Sequence, residues 1–262
     1  MSGVSREKIV IVSSQDKDDG SISNSNFRVT LKERYATQSV DRISIIESIV
    51  PNSFYNISDG STEGGNGPEN NNLILEQKVG TPLSITISAG QYNVIQFIAS
   101  LQASINLVLV GDSVVITRND ITNLLTFTFI VGTYTFSSLS SMAHVIGFID
   151  SITTGPQVYT MPYPPDLSGI NSVYIHSEAL SDGSGIDASK GIINLVDSIS
   201  LHNVPYGTFS YKQTTDASLS TISYTMPRNL NVIDIRLRDR EGKILNIGTK
   251  KLTLVIKMYY SI

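Results

Sequence analysis

The sequence contains no cysteine and no tryptophan. Without cysteine there are no disulfides, no thiolate zinc sites and no thiol nucleophile. A chain of 262 residues buries a core large enough to do without such staples, and the absence favours a reducing compartment. Charge is scarce as well. Asp, Glu, Lys and Arg make up 16% of the residues, against about a quarter in ordinary soluble domains, and Ser, Thr, Asn and Gly fill the gap. A polar but weakly charged surface suits a protein whose faces are covered by neighbours. The net charge of −4 and the pI near 5.4 do not match the basic face of a protein that grips nucleic acid. The longest Lys/Arg run is Lys250-Lys251. The stretch from Arg228 to Lys257 is locally basic, which fits a rim meeting acid on a partner or packaged nucleic acid, or more simply a solvated strand face. No apolar run approaches the roughly 18–20 residues of a membrane-spanning helix. Met1 to Lys8 holds no apolar h-region, so we expect no secretory leader.

Chemistry-bearing constellations are missing too. The histidines, His144, His176 and His202, are not spaced as helical or hairpin metal ligands, and they read as surface or satisfied strand positions. Asp16-Lys-Asp-Asp-Gly20 has a faint likeness to a calcium loop, but its glycine comes one position early and no Glu closes it, so it reads as a turn. Ser184, in Asp182-Gly-Ser-Gly-Ile186, lacks the spacing of a nucleophile elbow. Ala188-Ser-Lys-Gly191 lacks the glycines and the Ser/Thr of a phosphate loop. Carboxylates such as Asp234 and Asp239 leave a glycosidase pair open, although the missing tryptophan removes the broad aromatic face on which sugar sites lean. The sequon Asn56-Ile-Ser58 is read as chance. We expect no enzyme, no cofactor and no metal.

What is present is strand. Lys8 to Ser13 is a compact β-branched run, and Asn26 to Leu31 alternates apolar and polar residues. In Val40 to Val50 the apolar residues Val40, Ile43, Ile45 and Ile46 change face partway, which predicts a bulge or bend. Ser58 to Asn72 is rich in Gly, Asn and Pro and reads as a linker. Two short strands follow, over 72–77 and 83–88. Val94, Phe97, Ile98, Leu101 and Ile105 then fall on one helical face, with Asn93 as a suitable N-cap. A hairpin through Asn119-Asp120, a further strand at Thr133 to Phe136 and a short helix ending near Gly147-Phe148 complete this middle block. Between Thr81 and Thr160 its only charges are Asp112, Arg118, Asp120 and Asp150, so the block is expected to sit against something. Met161-Pro-Tyr-Pro-Pro-Asp166 reads as a stiff extended connector. Strand patterns return over 172–179, 192–201, 207–212, 220–226, 231–238 and 252–260.

Three N-terminal strands with an exposed apolar face are not stable alone. Joined to the C-terminal strands they match an eight-stranded double-sheet sandwich, the jelly roll. The expected fold is therefore all-β: a single eight-stranded jelly-roll sandwich over 1–58 and 159–262, with an inserted α+β domain over 59–158. An insertion in an exposed loop costs little. Three consecutive small domains, the alternative, leave the N-terminal strands without partners.

Of the 12 tyrosines, Tyr159, Tyr163, Tyr174, Tyr206, Tyr211, Tyr224, Tyr259 and Tyr260 fall in the C-terminal flank. Tyrosine offers apolar area and a hydroxyl, so it serves interfaces and cross-strand packing alike. Tyr159, Tyr163, Tyr206 and Tyr211, with Arg236 and Arg238, are the interface candidates.

The order of strands, inserted strand–helix block and strands resembles a family. Six stretches carry the likeness: Asn26-Phe-Arg-Val-Thr-Leu31; Ile49-Val-Pro-Asn-Ser-Phe-Tyr-Asn-Ile57; Ala89-Gly-Gln-Tyr-Asn-Val94 with its helix to Asn106; Gly147-Phe148; Ser172-Val-Tyr-Ile-His-Ser177; and Val232-Ile-Asp-Ile-Arg-Leu-Arg-Asp-Arg-Glu-Gly242. In these the chain resembles the penton (vertex) capsid proteins of icosahedral double-stranded DNA viruses, virophages and their Polinton-like relatives included. The resemblance implies an upright jelly roll, a homopentamer at the capsid vertex, and the inserted domain projecting outward. It implies contacts with major capsid protein and minor capsid proteins, a host receptor contact through the insertion, no specific nucleic acid, and a place in the virion assembled in the infected cell. Two other readings stay open: a lectin-like or fibre-type β-sandwich binding host carbohydrate, and a minor capsid cement protein.

Overall fold

In the computed structural model, which describes residues 6–32, 39–60, 69–77, 81–152, 157–183, 185–187, 191–214 and 221–260, the alternating stretches of both flanks become strands. They are β1 (Arg6–Ser13), β2 (Asn26–Thr30) and β3 (Ser39–Pro51) before the middle block. The block itself holds β4 (Asn72–Gln77), β5 (Leu83–Thr86), helix α1 (Val94–Val108), β6 (Val114–Arg118), β7 (Leu125–Phe129), β8 (Tyr134–Phe136), helix α2 (Ala143–Ile146) and β9 (Val158–Thr160). After it come β10 (Ser172–His176), β11 (Gly185–Asp187), β12 (Gly191–Ile193), β13 (Leu195–Ser200), β14 (Phe209–Gln213), β15 (Thr221–Asn229), β16 (Val232–Arg238) and β17 (Thr253–Tyr260). The described residues divide into two compact units, 6–54 with 170–260, and 55–60 with 69–169.

In the first unit two antiparallel sheets share a core. One has the order β1-β17-β3-β14, with β15 also on β3, and the other β13-β10-β16-β2. β14 lies against residues 47–51 of β3 and β15 against residues 39–44, so these two strands are successive halves of one lane. Counted along the chain there are then eight lanes. The first pairs with the eighth, the second with the seventh, the third with the sixth and the fourth with the fifth. The third also meets the eighth, and the fourth the seventh. This is a long hairpin rolled into two sheets, a jelly roll. Its core includes Phe27, Ile43, Ile175, Ile233, Ile235, Leu254 and Ile256. The bulge predicted in β3 is at Ile46: Val255 of β17 faces Glu47, while the next residue, Ile256, faces Ile45. One edge carries a polar clasp between the sheets. Ser48 Oγ donates to Asp197 Oδ2 at 2.6 Å, Lys212 Nζ lies on Asp197 Oδ1, and Ser210 Oγ donates to the Ser200 carbonyl at 3.0 Å.

The second unit has two three-stranded sheets, β5-β4-β8 and β6-β7-β9, and the two helices. Phe97, Leu101 and Ile105 of α1 are buried at helical spacing. Asn93 and Gln96 close a reciprocal capping box, with Gln96 N donating to Asn93 Oδ1 at 2.9 Å and Asn93 N to Gln96 Oε1 at 3.0 Å. Phe127, Phe129, Phe136 and Phe148 form the centre of the core, Phe136 meeting Phe127 and Phe148 edge-on.

The boundaries read from composition, 58/59 and 158/159, differ from those drawn by contacts. Asn56 is buried, and its Nδ2 donates to the carbonyls of Tyr92 at 2.7 Å and Leu167 at 3.1 Å, which ties both ends of the block to it. Residues 159–169, read as the start of the second jelly-roll part, pack with the block. Thr160 pairs with Thr126, Met161 N donates to the Leu125 carbonyl at 2.8 Å, and Met161 is fully buried.

Two substitutions test this architecture. Gly147 ends α2 at φ 105°, and a Cβ there would stand 2.0 Å from the Tyr163 carbonyl oxygen. Gly147→Ala is expected to destabilise the second unit by about 2–4 kcal/mol, read as earlier loss of amide protection in β7 and α1. Tyr224, buried in β15, donates its hydroxyl to the Leu180 carbonyl at 3.0 Å under the Arg228 guanidinium. Desolvation, with the Asp182 charge adding to it, pushes that hydroxyl far up. Stability from the neutral phenol is therefore complete below its unfolded pKa of about 10 and is lost as the pH rises beyond it. Tyr224→Phe should cost about 1 kcal/mol near pH 8 and flatten the decline in urea resistance above about pH 10. An unchanged decline would assign it to other groups.

Candidate assembly surfaces

Each jelly-roll sheet has an outer face, and the two differ in chemistry. The run Lys8 to Ser13 is apolar at both alternating positions, the pattern of a strand covered on both sides. Val10 and Val12 turn to the core, whereas Ile9 and Ile11 are each 64% exposed. Register extends this surface across the sheet. Ile11, Val255 and Glu47 lie in one row, and Thr253, Ile49 and Tyr211 in the next. Phe209 and Tyr211 of β14 end it, 50% and 56% exposed. Its charges are few: Glu47 stands within it near Tyr211, and at one side Lys257 Nζ reaches Glu7 Oε2 at 2.5 Å and Arg42 stacks over the Tyr259 ring at 4.3 Å.

The other sheet turns out polar and basic residues. Arg28 of β2 and Arg236 and Arg238 of β16 line a groove of about 650 Å³ with Asp18, Asp19 and Asp234. Most of these groups are engaged within the fold. The buried Asp234 carboxylate accepts from Glu178 N at 3.1 Å, Ala179 N at 2.9 Å and Ser177 Oγ at 3.2 Å, which fixes the turn after β10. Arg236 bridges Glu178 at 2.8 Å and Asp234 at 3.7 Å. Arg238 Nη1 donates to the Gly242 carbonyl at 2.7 Å. Asp18, in the stretch resembling a calcium loop, is spent on Thr30, accepting from its N at 3.0 Å and its Oγ1 at 2.6 Å. Among the described residues no three His, Asp or Glu side chains could hold a metal ion, and no helix is long and apolar enough to cross a membrane. Ser184 lies outside the described residues.

The six interface candidates therefore separate. Arg236 and Arg238 share the groove. Tyr211 stands on the apolar face, where desolvation and the Glu47 carboxylate push its hydroxyl up, and Tyr206 is exposed in the turn before β14. Tyr163 is exposed in the second unit, where its N–H donates to the Gly147 carbonyl at 3.0 Å. Tyr159 is a packing residue, its ring 5.7 Å from Phe136 and its hydroxyl pushed up by burial. Ile9, Ile11 and Phe209 were missed by a search for tyrosine and arginine side chains. The two-faced apolar run at Lys8 to Ser13 was the signal for the first two.

No protein-family model matches the sequence, and no curated protein matches it. Among solved structures, the mavirus penton protein superposes with a TM-score of 0.51, covering 98% of this chain and 100% of that one at 9% sequence identity. The D2-D3 domains of the flagellar cap protein FliD from Escherichia coli align over 95% of this chain and 98% of that one, with a TM-score of 0.19 and 13% identity, and carry no argument. The penton match is a likeness of fold, and it agrees with the all-β sandwich with an insertion found here.

The two kinds of tyrosine are separable by experiment. Tyr159→Ala should cost about 1–3 kcal/mol in urea unfolding, whereas Tyr211→Ala should stay within about 0.5 kcal/mol of the parent.

Proposed function

We propose that this chain is a structural virion protein, a penton subunit that forms a homopentamer at the five-fold vertices of an icosahedral double-stranded DNA virus capsid and contacts the surrounding major capsid protein and minor capsid proteins. The observation that carries the reading is the rolled eight-lane sandwich, interrupted between its third and fourth lanes, whose likeness to the mavirus penton protein spans both chains. The outer faces of the roll support it. Subunits in a closed ring use heterologous contacts, one patch meeting a different patch on the next copy. An apolar face bearing Ile9, Ile11, Phe209 and Tyr211 and a polar, arginine-bearing face on the opposite sheet are two such unlike patches. The role needs no catalytic group and no cofactor. In this reading the inserted unit is where a host receptor contact falls, and the protein resides in the virion after assembly in the infected cell.

Light scattering behind a sizing column tests the proposal. We expect a mass near five times 28.5 kDa, and Ile9→Asp with Ile11→Asp should return it to a folded monomer with an unaltered far-ultraviolet circular dichroism spectrum, its melt lowered only by the loss of assembly. A trimer, or a chain that stays monomeric at every concentration and also when mixed with the major capsid protein, would sink the reading.

A further inference from the structure

Two loops of the second unit meet beside the sheet β6-β7-β9: residues 109–113, leading from α1 into β6, and residues 130–132, leaving β7. Ile130 N donates to the Ser113 carbonyl at 3.0 Å. Asp112 spends both carboxylate oxygens on joining the loops. Its Oδ1 accepts from Ser113 N at 2.7 Å and Val131 N at 2.9 Å, and its Oδ2 from Gly132 N at 2.8 Å and the Tyr134 hydroxyl at 3.0 Å. From β9's side, Gln157 Nε2 donates to the carbonyls of Ile130 and Val131 at 3.0 and 3.1 Å.

Held in this way, the loops turn aliphatic side chains out. Val110 is 97% exposed, Val131 66% and Ile130 60%, and Leu107, in the last turn of α1, is 87% exposed. The outer face of the sheet continues the surface. Val115, Thr128 and Val158 stand in one cross-strand row, and Thr117, Thr126 and Thr160 in the next. Asp112, turned inward, is the one charged side chain among these residues.

Four aliphatics, 60–97% exposed at a helix end and on two braced loops, are costly in water, so the surface is built for an apolar partner. The centres of protein–protein contacts favour aromatic residues, Met and Arg, and this tip offers none of them. A bilayer asks for something else: protruding apolar side chains, no exposed charge to desolvate, and backbone groups already paired. The tip offers protruding aliphatic side chains with no Lys, Arg or Glu among them, and in its second loop the N–H groups of Ile130, Val131 and Gly132 and the carbonyls of Ile130 and Val131 are bonded within the fold. We propose that the tip formed by Leu107, Val110, Ile130 and Val131 inserts into the interfacial layer of a lipid bilayer, without selecting anionic headgroups. No Lys or Arg stands among these residues, so the attraction is apolar and insensitive to salt. The proposal does not rest on the pentamer, although several tips on one assembly would bind together more firmly than one.

Flotation of the full chain with neutral phosphatidylcholine vesicles, at low and at high salt, provides the test. The parent should float at both. The variant Val110→Asp with Val131→Asp should lose about tenfold or more of the bound fraction while melting with the parent, because both side chains are solvated. Val110→Ser with Val131→Ser should lose less, in the same direction, which guards against a folding defect. No flotation of the parent overturns the proposal, as does flotation that the Asp variant retains. So does binding confined to anionic vesicles and removed by salt, which would place the contact on basic residues elsewhere. If the parent ignores lipid and the Asp variant loses binding to a capsid protein, the tip is a protein contact and the proposal fails.

Discussion

The pairing of β3 with β17 is the constraint on which the jelly roll depends. These strands are separated by some two hundred residues of chain, yet they stand side by side from Val40 opposite Tyr260 to Ile49 opposite Thr253. Among the described residues β1 has its ladder on β17 alone, and the β14–β15 lane needs β3. The first sheet cannot close until the last strand arrives, so the cost of closing that long loop falls before most of its contacts form. The core of this unit, with Ile43 on β3 and Leu254 and Ile256 on β17, is buried by the same event.

Several of the few charges hold the fold together. Asp197 clasps the two sheets through Ser48 and Lys212, Asp234 fixes the turn after β10, Asp18 anchors β2, and Asp112 joins two loops of the second unit. Each of these carboxylates accepts from donors on the chain, as partly buried carboxylates must. Asp112 shows the result in its titration. Burial alone would raise its pKa, but the backbone donors of Gly132, Val131 and Ser113, with the Tyr134 hydroxyl, outweigh that and lower it. The outer faces described above take up aliphatic, threonine and tyrosine side chains.

Much of this was legible in the sequence because it is local. Alternation marked the strands, helical spacing and Asn93 marked α1, and the face change in residues 43–46 marked the bulge at Ile46. The grouping of both flanks into one sandwich followed from the need of each strand for partners. The remainder is non-local. Nothing in the text of β14 and β15 says that they are halves of one lane, because only their common partner β3 makes them so. Asn56 stands just before the linker and reads as part of a chance sequon, and only its bonds to Tyr92 and Leu167 show it to be an anchor. Tyr159 and Tyr211 are the same residue type in similar strands, and packing alone makes one a core ring and the other a surface ring. The apolar face went unnoticed because isoleucines beside core valines read as core.

The closing strand pair has a mechanical consequence. Arg6 lies opposite Tyr260, and the ladder runs from there to Ser13 opposite Thr253. A force pulling Arg6 and Tyr260 apart loads one rung at a time, and the pair opens like a zipper under a small pull. A force along the strands, drawing the Arg6 end of β1 away from the Thr253 end of β17, loads all the rungs together and meets far greater resistance. The jelly roll is therefore strong along its strands and weak at one seam, and where neighbouring molecules grip that seam decides which behaviour is felt.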